Sequence, residues 1–287
     1  MSGTVRIGAA ATRLVTLAAA WLLAGVGPRA QAPVRWAVCY SDRPAPADLA
    51  RYDLVVLDAV HHPPLAPILE RRRTVLAYLS LTEIGRAHDA FPGLERAGVV
   101  LDAHPAWSGT HYLDFRRPAW TRAVLEHLVP RALAAGFNGI FLDTLDDAAF
   151  LEGRDPQRYR GMREAAVRLV RAIRQQHPHM VLMVNRGYDL LPEIAGSIDI
   201  LLGESVVATF DPATKAYARV TEADVAWQVQ ALRQAKTLNP ALQILTLDYW
   251  DPADVDGIQR IYREQRANGF SPYVATPMLD VLVEEPR

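Results

Sequence analysis

The chain has one cysteine, Cys39, and its only lysines are Lys215 and Lys236, against a total of 31 basic residues. One thiol excludes a disulfide framework and a cysteine-rich zinc site. So few lysines, neither of them in a strand-like apolar run, leave no amine for Schiff-base chemistry inside a parallel barrel. An excess of one charge is also missing. With 31 basic and 32 acidic residues the formal net charge is −1, so the basic face that a phosphate backbone requires is absent and no nucleic-acid partner is expected. No apolar run reaches the roughly 20 residues of a membrane span. What the 287 residues do hold, 50% of them apolar and 22% charged, is core enough for a large globular domain.

Residues 1–32 differ in composition from the rest. Arg6 and Arg13 precede an apolar stretch over 14–26, and Ala30-Gln31-Ala32 supplies a small-x-small cleavage pattern ahead of Pro33. A signal peptide over 1–32 is expected. The remaining 33–287 would form one secreted or periplasmic domain, monomeric and without a stable membrane span. No cysteine follows the apolar stretch directly, at the expected cleavage position, which excludes a lipoprotein anchor.

Past the leader, short apolar or β-branched runs alternate with helical stretches, the pattern of βα units around a parallel sheet. Strands are expected at 35–41, 54–58, 74–81, 139–144, 181–186, 198–204, 243–249 and 272–277. The clearest helices are expected at 118–135, 159–177, 222–238 and 254–268. The last of these opens on Asp251-Pro252-Ala253-Asp254 and stops at Asn268-Gly269. Eight strands in about 250 residues is the arithmetic of a single (β/α)8 TIM barrel. The rival, a doubly wound sheet, lacks its glycine-rich dinucleotide turn after the first strand.

Chemistry in such barrels sits at the carboxyl ends of the strands. Those ends carry Tyr40 with Asp42, Asp58, Ser80 with Glu83, Asp143 with Asp146 and Asp147, Asn185, Glu204, Asp248 with Tyr249 and Trp250, and Asp280. An acidic mouth repels phosphate ligands. The histidine pairs His61-His62 and His177-His179 fall in loops or on the wrong face for a strand-end metal site, and no nucleophile-elbow motif marks a serine hydrolase. Acidic residues beside aromatics suit carbohydrate instead: carboxylates bind hydroxyls, aromatic faces stack on sugar rings, and two carboxylates can split a glycosidic bond. Asp143, closing the apolar run Gly139-Ile140-Phe141-Leu142, and Glu204, closing Ile200-Leu201-Leu202-Gly203, are the cleanest such pair.

The segments AYLSLTEIG (77–85), GFNGIFLDTLDD (136–147), VNRGYDLL (184–191), ILLGESV (200–206), LTLDYWDP (245–252) and GFSPYVATPMLD (269–280) occur in this order. Together they resemble glycoside hydrolase family 114, the endo-α-1,4-polygalactosaminidase-like barrels, and the hydrolase domains of Pel polysaccharide enzymes. The resemblance implies an exported (β/α)8 enzyme that cleaves α-1,4-linked galactosamine or N-acetylgalactosamine polymers without a metal or other cofactor. It implies Asp143 as nucleophile and Glu204 as general acid/base, assignments the residues alone leave open. Chemistry then expects Asp143 to stay ionised among polar neighbours and Glu204 to hold its proton more tightly, with retention of configuration.

Asp58 and Asp248 are expected to hold sugar hydroxyls or amines, and Tyr40, Tyr78, Tyr249 and Trp250 to form sugar platforms. Glu83 is expected at the mouth, Asn185 as a donor to substrate, Cys39 in the core, and Asp146 and Asp147 as caps of the following segment. The long connection over 85–110, with His88, His104 and Trp107, is expected to shape the substrate groove. Two other readings stand beside the hydrolase: a barrel that binds glycan without cutting it, accessory to exopolysaccharide biosynthesis, and, more remotely, an amidase on the same scaffold.

Overall fold

The structure, a computed structural model, describes residues 34–105 and 107–286; the expected leader lies outside the described residues. Strands β1 (Trp36–Cys39), β2 (Leu54–Asp58) and β3 (Thr74–Ser80) are followed by three short strands, β4 (Glu83–Gly85), β5 (Val100–Ala103) and β6 (Thr110–Leu113). Then come β7 (Gly139–Asp143), β8 (Val181–Asn185) and β9 (Ile200–Glu204), a hairpin of β10 (Ala208–Asp211) and β11 (Ala216–Arg219), and finally β12 (Gln243–Tyr249) and β13 (Ser271–Ala275). Eight of these form one parallel sheet in the order β1-β2-β3-β7-β8-β9-β12-β13. This is a nearly closed TIM barrel with helices between the strands. Its strands read as unbroken apolar runs because helices cover the sheet's outer face and side chains fill its inner one; Val55, Val56, Leu57, Leu142, Leu182 and Leu245 are all fully buried.

Between β1 and β13 no strand ladder forms among the described residues. The seam is bridged instead by the indole N–H of Trp36, which donates to Ser271 O at 2.9 Å, and by Tyr40 N, which donates to Leu279 O at 2.6 Å. After β13 the described residues 276–286 form no helix or strand and turn back at Pro277–Leu279. Val283 N donates to the Tyr273 hydroxyl, while Glu284 and Glu285 pair with Arg51 and Arg266. Those ion pairs are surface pairs and contribute little; the buried bonds hold the seam.

The long helices form where the sequence places them. Met162–Gln176 buries Met162, Ala165, Ala166, Leu169, Val170 and Ile173, an unbroken 3–4 spacing, and ends at His177 ahead of Pro178. Glu222–Leu238 is capped by the Thr221 hydroxyl on Asp224 N, and Val255–Ala267 by the Asp254 carboxylate on Gly257 N. The single helix expected over 118–135 runs over 118–134 and is interrupted by a wide turn at Ala123–Leu128, next to Pro130, which has no N–H to give.

Two connections were more structured than expected. The stretch 85–110 is not a bare loop: β4 and β5 pair antiparallel with β6 and form a small sheet on the mouth side of the barrel. The segment after β7 forms the helix Asp147–Arg154, in which Asp146 and Asp147 do not serve as side-chain caps.

Candidate active site

The carboxyl ends of three consecutive barrel strands, β7, β8 and β9, carry Asp143, Asn185 and Glu204. The amide nitrogen of Asn185 donates to Asp143 Oδ1 at 2.9 Å and to Glu204 Oε2 at 2.6 Å. Two bonds from one nitrogen cannot hold those oxygens more than about 5.5 Å apart. Each carboxylate also has a tyrosine of its own. The Tyr249 hydroxyl donates to Glu204 Oε1 at 2.5 Å, and the Tyr78 hydroxyl hydrogen-bonds Asp143. Tyr40 packs on Tyr78 with ring centroids 4.7 Å apart, and Tyr78 in turn lies 6.0 Å from Phe141.

Asp143 is the strained member of the pair. Burial, and then the negative charge of Glu204, push its pKa up to about 6, against the opposing pull of the Asn185, Thr144 and Tyr78 bonds. Its polar neighbours do not fully offset desolvation, so Asp143 is mostly ionised at neutral pH and gains a proton as the pH falls through about 6. Burial and the neighbouring carboxylates also hold the Tyr78 and Tyr249 phenols protonated, so they remain donors.

The backbone turns sharply after each of these residues. Thr144, Arg186 and Ser205 adopt left-handed conformations, with φ of 61°, 49° and 52°. A β-branched residue there is strained, and side-chain bonds hold Thr144 in place. Its hydroxyl lies 3.0 Å from that of Ser80, accepts from Thr82 N at 3.0 Å and donates to Asp143 O at 2.7 Å; the Thr82 hydroxyl in turn donates to Thr144 O. Thr144→Val keeps the shape and leaves the buried Thr82 amide without an acceptor. A loss of about 1–3 kcal/mol in urea unfolding is expected, and an unchanged midpoint would contradict this role. Gly203 serves β9 differently. A methyl there would lie 2.8 Å from Leu232 Cδ1 and 2.9 Å from Val206 Cγ2, so only glycine lets the helix Glu222–Leu238 pack this close to the strand that presents Glu204.

Around the pair the mouth is acidic. Glu83 is 3.3 Å from His104 Nε2 and hydrogen-bonds Asp147. Burial first, then Asp146 and Glu83, raise the Asp147 pKa to about 8, so these two carboxyls share a proton near neutrality. His104 lies 6.4 Å from the exposed ring of Trp107, which places both residues of the 85–110 connection beside Glu83. Sequence reasoning missed Arg186. Its guanidinium donates to Glu204 O at 3.0 Å and is the cation felt by Glu204, Asp146 and Asp143. It lies in the quoted VNRGYDLL segment, directly after Asn185.

Other expected ligands are placed differently. Asp248 is fully buried and faces the helix layer. It accepts from Val207 N at 2.8 Å, Ala208 N at 2.9 Å and Gln265 Nε2 at 2.6 Å, so its carboxylate anchors the segment after β9 rather than a sugar. Neighbouring strand residues face opposite ways, and Tyr249 takes the mouth. Asp58 uses Oδ1 on its own loop, accepting from Val60 N and His61 N. Tyr78 and Tyr249 act through their hydroxyls, and the Trp250 N–H donates to Asp254 Oδ2 at 2.9 Å, with its ring 6.3 Å from Tyr217. Asn185 has both N–H groups committed to carboxylates, so only its oxygen is left for a ligand. Cys39 is core, as expected.

A barrel that gathers two adjacent carboxylates at the ends of its strands, lined by tyrosines and ringed by further acids, has the build of a glycoside hydrolase. The chain belongs to glycoside hydrolase family GH114, whose sequence profile matches residues 17–287, and it is a glycoside hydrolase. The glycoside hydrolase domain of PelA from Pseudomonas aeruginosa is 30% identical, with a TM-score of 0.79 over 88% of this chain and 98% of that one. Ega3 from Aspergillus fumigatus, in complex with galactosamine, shares the fold at 12% identity, with a TM-score of 0.65 over 88% and 94% of the two chains. The α-galactosidase TtGalA from Thermus thermophilus, in complex with stachyose, shares it at 12% identity and a TM-score of 0.52, covering 88% of this chain and 63% of that one. A search of curated proteins returned no match. No helix among the described residues is long and apolar enough to cross a membrane.

Proposed function

We propose that this hydrolase is exported and cleaves α-1,4-linked galactosamine or N-acetylgalactosamine polysaccharide with retention of configuration. The observation that carries the mechanism is the shared Asn185 nitrogen, which keeps the reacting oxygens within about 5.5 Å. Retaining enzymes hold their carboxyls about 5–5.5 Å apart, whereas inverting ones leave about 6.5–9.5 Å for a water between them. Asp143 attacks the anomeric carbon as Glu204 protonates the departing glycosidic oxygen, which leaves a glycosyl ester on Asp143. Glu204, now ionised, takes a proton from water as that water attacks the same carbon and releases Asp143. The Tyr249 hydroxyl keeps Glu204 aimed through both steps, and the Asn185 and Tyr78 bonds steady the charge on Asp143 before attack and after release.

Glu83, Asp146 and Asp147 ring the pair, and this supports an amino-sugar substrate, since de-N-acetylated galactosamine is a cation near neutrality. The complex of the fold relative Ega3 with galactosamine is consistent with it. Export rests on the leader pattern in residues 1–32. Reducing-end release should be measured from α-1,4-galactosaminan at several degrees of acetylation, with an α-1,4-glucan as control. Release is expected from galactosaminan and not from the glucan, rising as acetyl groups are removed. Equal release from both polymers would overturn the substrate reading.

A further inference from the structure

We propose that the exposed indole of Trp227, braced by Tyr188, is a distal sugar-binding platform that grips the polymer away from the bond being cleaved. The inference rests on the functional reading above and adds to it a binding residue outside the catalytic pair. Among the described residues the exposed phenylalanine and tryptophan rings are Trp107, Phe150 and Trp227, and all three lie in connections that leave barrel strands at the mouth. Apolar side chains scattered over a surface need no explanation, whereas exposed rings confined to the face that carries the active site do. Trp227 is 59% exposed and sits in the second turn of the helix Glu222–Leu238, which starts at the mouth after the β10–β11 hairpin.

A chain of contacts ties this ring to the strand end that presents Glu204. The next residue, Gln228, is buried and donates from Nε2 at 2.9 Å to the carbonyl of Ser205, which directly follows Glu204. Gln228 Oε1 accepts from the Tyr188 hydroxyl at 3.0 Å, and the Tyr188 ring meets that of Trp227 at 83° with centroids 5.5 Å apart. Tyr188 also lies close enough to Glu204 and Asp146 to feel both charges. The indole is therefore braced, and a ligand that stacks on it costs little further side-chain freedom. Pyranose rings present a patch of C–H bonds to a flat aromatic face, and a protonated amino group is drawn to the negative face of the ring, most strongly for indole. Asp224, one helical turn before Trp227, and Asp189, next to Tyr188, are exposed carboxylates that suit the same cation. A galactosamine ring of the bound polymer matches this chemistry.

The test measures binding of α-1,4-galactosamine oligomers to the Glu204→Gln variant by calorimetry, alone and with Trp227→Ala, Trp227→Phe or Leu238→Ala added. Trp227→Ala should weaken binding about three- to tenfold, and Trp227→Phe, which keeps a flat ring, should recover most of that loss. Leu238, 50% exposed at the far end of the same helix, is the control, and its replacement should leave binding unchanged. In the otherwise wild-type enzyme the Trp227→Ala loss should fall on KM for galactosaminan rather than on kcat, as for a contact made equally before and during bond cleavage. Alanine is the best helix former, so the melting temperature should not fall. Equal binding with and without Trp227, or a phenylalanine variant no better than alanine, would overturn the platform. Reducing-end release by wild type reports separately on the functional reading. Release with Trp227-independent binding overturns the platform alone, and Trp227-dependent binding without release overturns the hydrolysis alone.

Discussion

Glu204→Gln and Asp143→Asn are each expected to lower reducing-end release from galactosaminan on the order of 10⁴-fold. The two variants remove different halves of the reaction. Asparagine at 143 has no charge with which to attack the anomeric carbon, and glutamine at 204 has no proton to give the leaving oxygen. Neither loss should follow from unfolding. Burial and the neighbouring charge already work against an ionised Asp143, so Asp143→Asn should melt no lower than wild type at neutral pH. Retention of more than a tenth of wild-type activity by either variant, with the melting temperature unchanged, would remove that residue from the chemistry.

Asp147→Asn is expected to stabilise the protein, increasingly so as the pH rises. The folded-state pKa of Asp147 is raised to about 8, chiefly by burial and then by Asp146 and Glu83. The folded protein therefore keeps a proton that the unfolded chain releases above its ordinary value near 4. Between those pH values unfolding sheds a proton, and stability falls with rising pH; above about pH 8 the full penalty is present. Asparagine carries no charge and can still donate a hydrogen bond to Glu83. A gain of about 2–4 kcal/mol at pH 8.5 is reasonable for a half-buried, coupled carboxyl, which is roughly 5–15 °C in melting temperature. At pH 5 the gain should be much smaller. Asp143 and Asp248, both raised to about 6, act in the same direction, so wild type itself should melt higher at pH 5 than at pH 8. Thermal unfolding of both proteins from pH 5 to 9 checks this; a constant difference across that range would contradict it.

The barrel was legible because parallel strands covered on both faces leave unmistakable apolar runs. The expected strands at 54–58 and 243–249 match β2 and β12 to the residue. The helix 147–154 escaped notice because only Ala148 and Leu151 are buried, too few to set a period. The small sheet over 83–113 consists of strands of three or four residues, in which no alternation can build up. Asp143 and Glu204 stood out because each ends an apolar strand, and the structure places them together.

Asp248 ends a comparable run, yet it faces the helix layer. Period-two alternation would have excluded it once Tyr249 was assigned to the mouth, since both cannot face inward. The roles of Tyr78, Tyr249 and Asn185 could not be read from the sequence in the same way. Whether a tyrosine offers its ring or its hydroxyl, and where an amide's donors go, depends on which side chains three different strands bring within 3 Å. The proton shared by Glu83 and Asp147 is of the same kind, because it needs the pairing of β3 with β7 to bring residues from separate connections together.

The account is tested most directly by following wild-type digestion of partially de-N-acetylated α-1,4-galactosaminan by proton NMR from the first minutes. Retention through Asp143 and Glu204 predicts that new reducing ends appear first as the α anomer and only later mutarotate toward the equilibrium mixture. Initial release of the β anomer, or no new reducing ends at all, would contradict it.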